Sequence, residues 1–214
     1  GSDIVINGRK IAVLNGSNAN ELLVVARESG GEVDADGISV FLVNPDTPGV
    51  TVRPFTNIDG QKSSEIDFTD VTVAASARLG EQGNALMALE KVIDKAIIAV
   101  SAEAVGVLET LLQKTVEYSK TRKQFGTVIG TFQALQHRMA DMFIECQLAR
   151  SIVVMAAMKL DGSAGQMEKT KAVSAAKSRV GKAIRKVSQE AVQIHGGIGV
   201  TNELDVGHYF KRAT

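Results

Sequence analysis

The chain has no tryptophan, one cysteine, three prolines and no net charge. Each shortage excludes something. With 24 basic and 24 acidic residues, there is no broad basic field to recruit nucleic acid by counterion release. The lone thiol, Cys146, forms no internal disulfide, so a reducing, cytoplasmic setting is expected. His137, His195 and His208 lack metal-ligand spacing, and no metal is expected. The reading finds no signal peptide and no apolar run of membrane length. Gly1-Ser2 reads as a cloning scar and stays outside the fold argument. What remains is an ordinary globular balance, 44% hydrophobic against 22% charged, in 214 residues that fit one large domain or two small ones.

The two halves differ in texture. Residues 3–80 hold all the prolines and the turn signals Asn7-Gly8, Asn15-Gly16, Asp36-Gly37 and Asp59-Gly60. Between them lie short β-prone runs at 11–14, 22–26, 38–43, 50–52, 65–68 and 71–73. They predict a small antiparallel β-sandwich or barrel. From about Gly83 the apolar spacing becomes helical: Leu86, Leu89, Ile97, Val100, Ala104, Leu108 and Leu111 on a first helix, Leu135 to Val153 on a second, and Val173 to Val192 on a third. Short connections predict an antiparallel up-down bundle, giving an α+β chain with domains at 3–80 and 81–214. No helix is read after the third. The open apolar flank is expected to need a fourth helix or another subunit, and the chain reads as part of a longer one. Lys177, Arg179, Lys182, Arg185 and Lys186 read as a solvated face.

Two places carry chemistry. In YSKTRKQFGTVIGTFQALQHRMADM, Tyr118 to Met142, an apolar helix runs into Lys120, Arg122 and Lys123 and breaks at Phe125-Gly126. A fixed guanidinium beside a glycine break suits a phosphate. The second place is the glycine-rich turn QIHGGIG, Gln193 to Gly199. Together they suggest a large phosphorylated ligand held where helices meet. Residue by residue, other roles compete. Arg122 also suits the dipole at a helix C-terminus, and Gly196-Gly197 also suits a helix cap.

Taken in order, these segments resemble the acyl-CoA dehydrogenase family. Residues 7–16 (NGRKIAVLNG) resemble its first sheet-domain strand, and 60–73 (GQKSSEIDFTDVTV) the strand pair that closes that domain. Residues 79–83 (LGEQG) resemble the entry to its helical domain. Arg122 to Gly126, Phe132-Gln133-Ala134 and Gln193 to Gly199 resemble its flavin-contact motifs. The family normally begins with a further helical domain and ends with a further long helix, which this chain does not match. The resemblance implies FAD as cofactor and an acyl-CoA substrate. It also implies an electron-transfer flavoprotein as acceptor and a homo- or hetero-oligomer that completes the flavin site across an interface. Carried over by position, Arg122 pairs with the pyrophosphate, Gln124 and Gln133 hydrogen-bond the dinucleotide, and Phe125 packs on it. Gln193, Gly196 and Gly197 bring backbone close to its adenosine part.

The sequence departs from the family at the flavin ring and at the base. Where members carry a ring-packing Trp and a Thr two residues on, this chain has Ala12 and Leu14. The position of a glutamate base early on the first long helix is Ala96. Glu103, two turns further along an apolar stretch, becomes the candidate base, with Asp94 behind it. The implied activity is α,β-dehydrogenation of an acyl-CoA thioester. The alternatives are a non-catalytic partner subunit of a heteromeric enzyme, and a related flavin oxidase or monooxygenase.

Overall fold

The structure, a computed structural model, describes residues 3–214. The chain divides between Lys91 and Val92 into two compact units. The first contains two antiparallel sheets. One has the order β1-β5-β4, with β1 at Ile4–Leu14, β5 at Lys62–Val73 and β4 at Val50–Thr56. The other has the order β2-β3-β6, with β2 at Leu22–Arg27, β3 at Ile38–Val43 and β6 at Arg78–Leu79. Alternating residues of both sheets, among them Ile6, Val24, Phe41, Ile66 and Phe68, form one buried core.

Two bulges account for the short readings of β1 and β5, whereas the run at 38–43 matches β3. At Thr69-Asp70 on β5 the pairing with β1 slips, and Asp70 takes φ +50°. Asn7 clamps that bulge: its side-chain amide donates to Asp70 Oδ1 at 3.0 Å, and the Asp70 amide donates to Asn7 Oδ1 at 2.7 Å. The slip keeps Val71 and Val73 facing inward after Ile66 and Phe68, so one strand resembles two in the sequence. The second bulge, at Ile11-Ala12 on β1, puts Ala12 at φ +54°.

A polar node fixes the exit from the sheets. Glu28 receives Arg78 Nη2 at 2.5 Å and Nε at 3.0 Å, and also the Ser39 hydroxyl. Ser39 Oγ in turn accepts the Gly83 amide at 2.8 Å. Ala85 N–H donates to the Ile38 carbonyl at 2.9 Å, just before the first helix begins.

That helix is α1, Leu86–Thr121, followed by α2 at Gln133–Asp161, α3 at Gln166–His195 and α4 at Val206–Ala213. The second unit's core joins Leu108 and Leu111 of α1, Met142, Cys146 and Ala149 of α2, and Ala183, Val187 and Ala191 of α3. Alanines on α2 and α3 let their backbones approach closely. α4 is the helix that the sequence reading omits. Its eight residues give too short a pattern to recognise, yet Val206 is buried and Tyr209 and Ala213 pack on the same core.

The expectation of no membrane-length apolar run needs correction. α1 contains an 18-residue window of mean hydropathy 1.5, long and apolar enough to cross a bilayer by composition alone. Scattered charges, such as Asp94, Lys95, Glu103 and Glu109, break its visible run. Its buried side, Leu108 and Leu111, belongs to the helical core.

The Glu28 node gives the sheet unit an acid limit. Burial alone pushes the Glu28 carboxyl up, but the Arg78 fork and the Ser39 hydroxyl outweigh it and hold the group below its ordinary 4.5. A carboxyl lowered in the folded state stabilises fully above its unfolded value, and that stabilisation fades as pH falls through the folded value. Glu28→Gln should therefore lower the melting temperature at pH 7 and flatten its decline below pH 4.5. A parallel decline in wild type and variant would remove Glu28 as its source.

Candidate functional site

The end of α1 is a compact break. Arg122 N–H still donates to the Tyr118 carbonyl at 2.9 Å. The chain then forms a two-residue hairpin, β7 at Lys123–Gln124 and β8 at Thr127–Val128, whose turn is Phe125-Gly126. Both turn residues have positive φ, +54° and +82°, as a type I′ turn requires. Phenylalanine is an unfavoured residue there, costing roughly 1–2 kcal/mol relative to a right-handed backbone. Its ring is also 92% exposed, with one edge contact to Phe132 at 6.1 Å between centroids. A strained, solvent-facing aromatic with one edge contact gains little from its own chain, which points to an external partner.

The second place is the end of α3. Gly196 closes the helix at φ +69°, ψ −150°, and its amide reaches the Val192 and Gln193 carbonyls. His195 is buried, and its ring stacks on Tyr118 at 4.3 Å. Nδ1 lies 2.7 Å from the Ala191 carbonyl, which only accepts, so Nδ1 carries the proton. Burial pushes the imidazole below its ordinary 6.5, against the opposing pull of the Ala191 carbonyl and Asp205. His195 is therefore neutral at pH 7 and serves as a packing residue.

These two places face one cavity of about 480 Å³. Arg122, Gln124, Phe125, Gln193, Gly196 and Gly197 all line it, six of the seven cofactor residues named from the sequence. Gln133 is exposed on the first turn of α2 and lies outside the lining. The structure adds Tyr118, Phe132 and Arg138 to the wall. The Arg122 side chain has no hydrogen-bond or ion-pair partner among the described residues. Gly197 shows the same one-sidedness: a Cβ built there meets nothing within 4 Å, and its φ is not positive. By contrast, Gly130 is required for packing, because a Cβ would sit 2.9 Å from the Ser119 carbonyl. The bare backbone at Gly197 thus leaves room for something outside the chain. Unpaired guanidinium, open glycine turn and exposed aromatic ring fit a diphosphate joined to an aromatic base.

The fold of each unit, and the order of these turns along the chain, can be compared with known proteins. The family model "Acyl-CoA dehydrogenase, C-terminal domain" matches residues 86–214, and "Acyl-CoA dehydrogenase, middle domain" matches residues 1–71. The chain belongs to the acyl-CoA dehydrogenase family. It is 34% identical over 216 residues to the probable acyl-CoA dehydrogenase YngJ of Bacillus subtilis, covering 100% of this chain and 56% of that protein. It is similar to the structure of butyryl-CoA dehydrogenase from Megasphaera elsdenii, with TM-score 0.88 and 32% identity, over 99% of this chain and 55% of that one. A chain of the ChsE4-ChsE5 complex from Mycobacterium tuberculosis matches with TM-score 0.84 and 29% identity, over 98% of this chain and 54% of that one. The chain therefore spans about half the length of the acyl-CoA dehydrogenases it matches.

The residues expected to serve the ring and the base have different surroundings. Ala12 and Leu14 are both exposed on β1, where the bulge turns them off the core. Glu103 does not have the desolvated setting expected of it. Its side chain is 46% exposed and forks with Arg212, with Nε to Oε1 at 2.5 Å and Nη2 to Oε2 at 2.9 Å. It lies nineteen residues before Arg122, about 28 Å along a helix axis, and lines a separate cavity of about 240 Å³. The reason is α4, which brings Arg212 onto the face of α1 that looked apolar in sequence. Asp94 is buried, with its Oδ2 accepting Thr170 Oγ1 at 2.9 Å and Gln166 Nε2 at 3.2 Å from the start of α3.

The strain at Phe125 is directly measurable. Phe125→Asn places a residue that tolerates positive φ in the turn, and should stabilise the protein by about 1 kcal/mol, raising its melting temperature by roughly 2–4 °C. A variant melting at or below wild type would mean that the ring stabilises its own chain.

Proposed function

We propose that this chain supplies the adenosine-diphosphate half of an FAD site in an enzyme that carries out α,β-dehydrogenation of an acyl-CoA thioester. The observation that carries the reading is Arg122, a guanidinium without a partner among the described residues, lining one cavity with a glycine turn open to the outside. Arg122 binds the diphosphate in a charge-assisted fork. Phe125 offers its exposed face to a ring system, and Gln124 and Gln193 offer amides to ribose or base. Gly196 and Gly197 allow close backbone approach. When bound, the flavin supplies the hydride acceptor, and the chain's task at this end is to bind and orient it. Electron-transfer flavoprotein is the acceptor the family suggests. Exposed apolar residues, including Val92, Ile93 and Val100 on α1 and Phe143, Ile144 and Leu148 on α2, support an oligomer.

A second reading has its own observation. Ala12 and Leu14 present no aromatic ring and no hydroxyl, and Glu103 is committed to Arg212 rather than held as a free base. These favour a partner subunit that completes a catalytic subunit's FAD site while lacking the chemistry itself. The similarity to one chain of a two-component complex agrees with it.

Both readings use the same nucleotide cavity, so FAD retention tests them together and colour separates them. The purified full-length protein should retain FAD, and Arg122→Ala should weaken it at least tenfold, about 1.4 kcal/mol. Gly197→Ala should also weaken it while leaving the melting temperature in place. Unchanged retention in both variants would overturn the nucleotide assignment. A protein that is colourless alone but restores FAD binding to a second subunit would select the partner reading.

A further inference from the structure

Arg138 was not among the residues that the sequence singled out, yet its side chain reaches the wall of the Arg122 cavity from the second turn of α2. We propose that Arg138 is a second phosphate-binding residue of this cavity and that Glu190 positions it. The inference rests on the nucleotide reading above and deepens it.

Three observations carry it. First, the cavity wall contains two guanidiniums and no carboxylate, and its histidine is neutral. A diphosphate diester carries two negative charges, so Arg122 alone leaves one without a guanidinium. Second, Arg138 is tethered without being used up. Its Nε lies 3.2 Å from Glu190 Oε2, its one ion-pair partner among the described residues, and it donates no side-chain hydrogen bond to any of them. The terminal nitrogens remain open to an anion. Third, Glu190 Oε2 is buried and, among the described residues, accepts no well-aligned hydrogen bond, although the Arg138 guanidinium is so close. A buried carboxylate oxygen in that condition is costly, and a small rotation of Arg138 would relieve it. An anion on the outer edge of the guanidinium would favour such a rotation. Glu190 lies one helical turn before Gln193, so the acid that holds Arg138 sits on the same helix end as the glycine turn.

The test compares ligands that differ only in phosphate. Binding of ADP and adenosine to the full-length protein is measured by calorimetry for wild type, Arg138→Met, Arg138→Lys, Glu190→Gln and Arg122→Ala. Methionine keeps the apolar stem of Arg138, so packing is retained. Arg138→Met should weaken ADP about tenfold, leave adenosine within about twofold, and reduce the salt dependence of ADP binding. Arg138→Lys should recover part of the ADP affinity. Glu190→Gln should weaken ADP by a smaller factor without changing adenosine. Equal losses for ADP and adenosine in Arg138→Met would make the residue structural and overturn the proposal, as would no loss. If Arg122→Ala discriminates ADP from adenosine while Arg138→Met does not, only this inference falls. If neither variant discriminates, the nucleotide reading falls with it.

Discussion

The stacking of Tyr118 on His195 is the contact on which the cavity depends. It joins the last turn of α1 to the last turn of α3, and each helix hands its chain to one wall of the site. Only a neutral imidazole can be buried there cheaply, and the Ala191 carbonyl fixes its tautomer at 2.7 Å. Tyr118 adds a longer contact, its hydroxyl donating to the His195 carbonyl at 3.4 Å. With the two ends locked, Arg122 and the Gly196-Gly197 turn face the same space without touching each other's side chains. The backbone that carries Arg122 is fixed in this way, while its exposed side chain still has rotamer freedom to lose on meeting a phosphate.

The rest of the bundle maintains that lock. Ala149 on α2 and Ala176, Ala183 and Ala191 on α3 are fully buried and small. Larger residues there would push α2 off α3, and with it the turn that carries Arg138. Arg138 and Glu190 bridge the same two helices nearer the cavity. Packing and ligand geometry are thus set by one row of small side chains.

What the sequence made legible follows from what has a local signature. The break at Phe125-Gly126, though not its hairpin, and the turn at Gly196-Gly197 were readable because glycine after a helix is a backbone requirement, visible in one chain. The helical cores of α1 to α3 were readable because their apolar period persists for five or more turns. Three features were not readable, because they depend on tertiary neighbours. Arg138 looks like any exposed cation on a helix until Glu190, fifty-two residues later, is placed beside it. Glu103 looks desolvated until the short α4 delivers Arg212. The strand β5 looks like two until the Asn7 side chain closes the bulge at Asp70, sixty-three residues away.

The nucleotide and ring ends of the flavin assignment differ in the physical support they have in this chain. At the nucleotide end the chain carries costs that its own fold does not repay. Phe125 is exposed on a left-handed backbone and Gly197 lacks a side chain that nothing would obstruct, while the exposed Arg122 has no partner among the described residues. Costs of this kind accumulate where a binding surface is maintained. On β1, Ala12 also occupies a left-handed backbone, but its side chain is only a methyl group, and the Leu14 side chain has no hydrogen-bonding atom. The β1 bulge is present, yet the side chains it displays can neither stack on nor hydrogen-bond a flavin ring. The features around Arg122 support the proposed dinucleotide role, whereas the side chains of Ala12 and Leu14 lend a flavin ring neither stacking nor a hydroxyl.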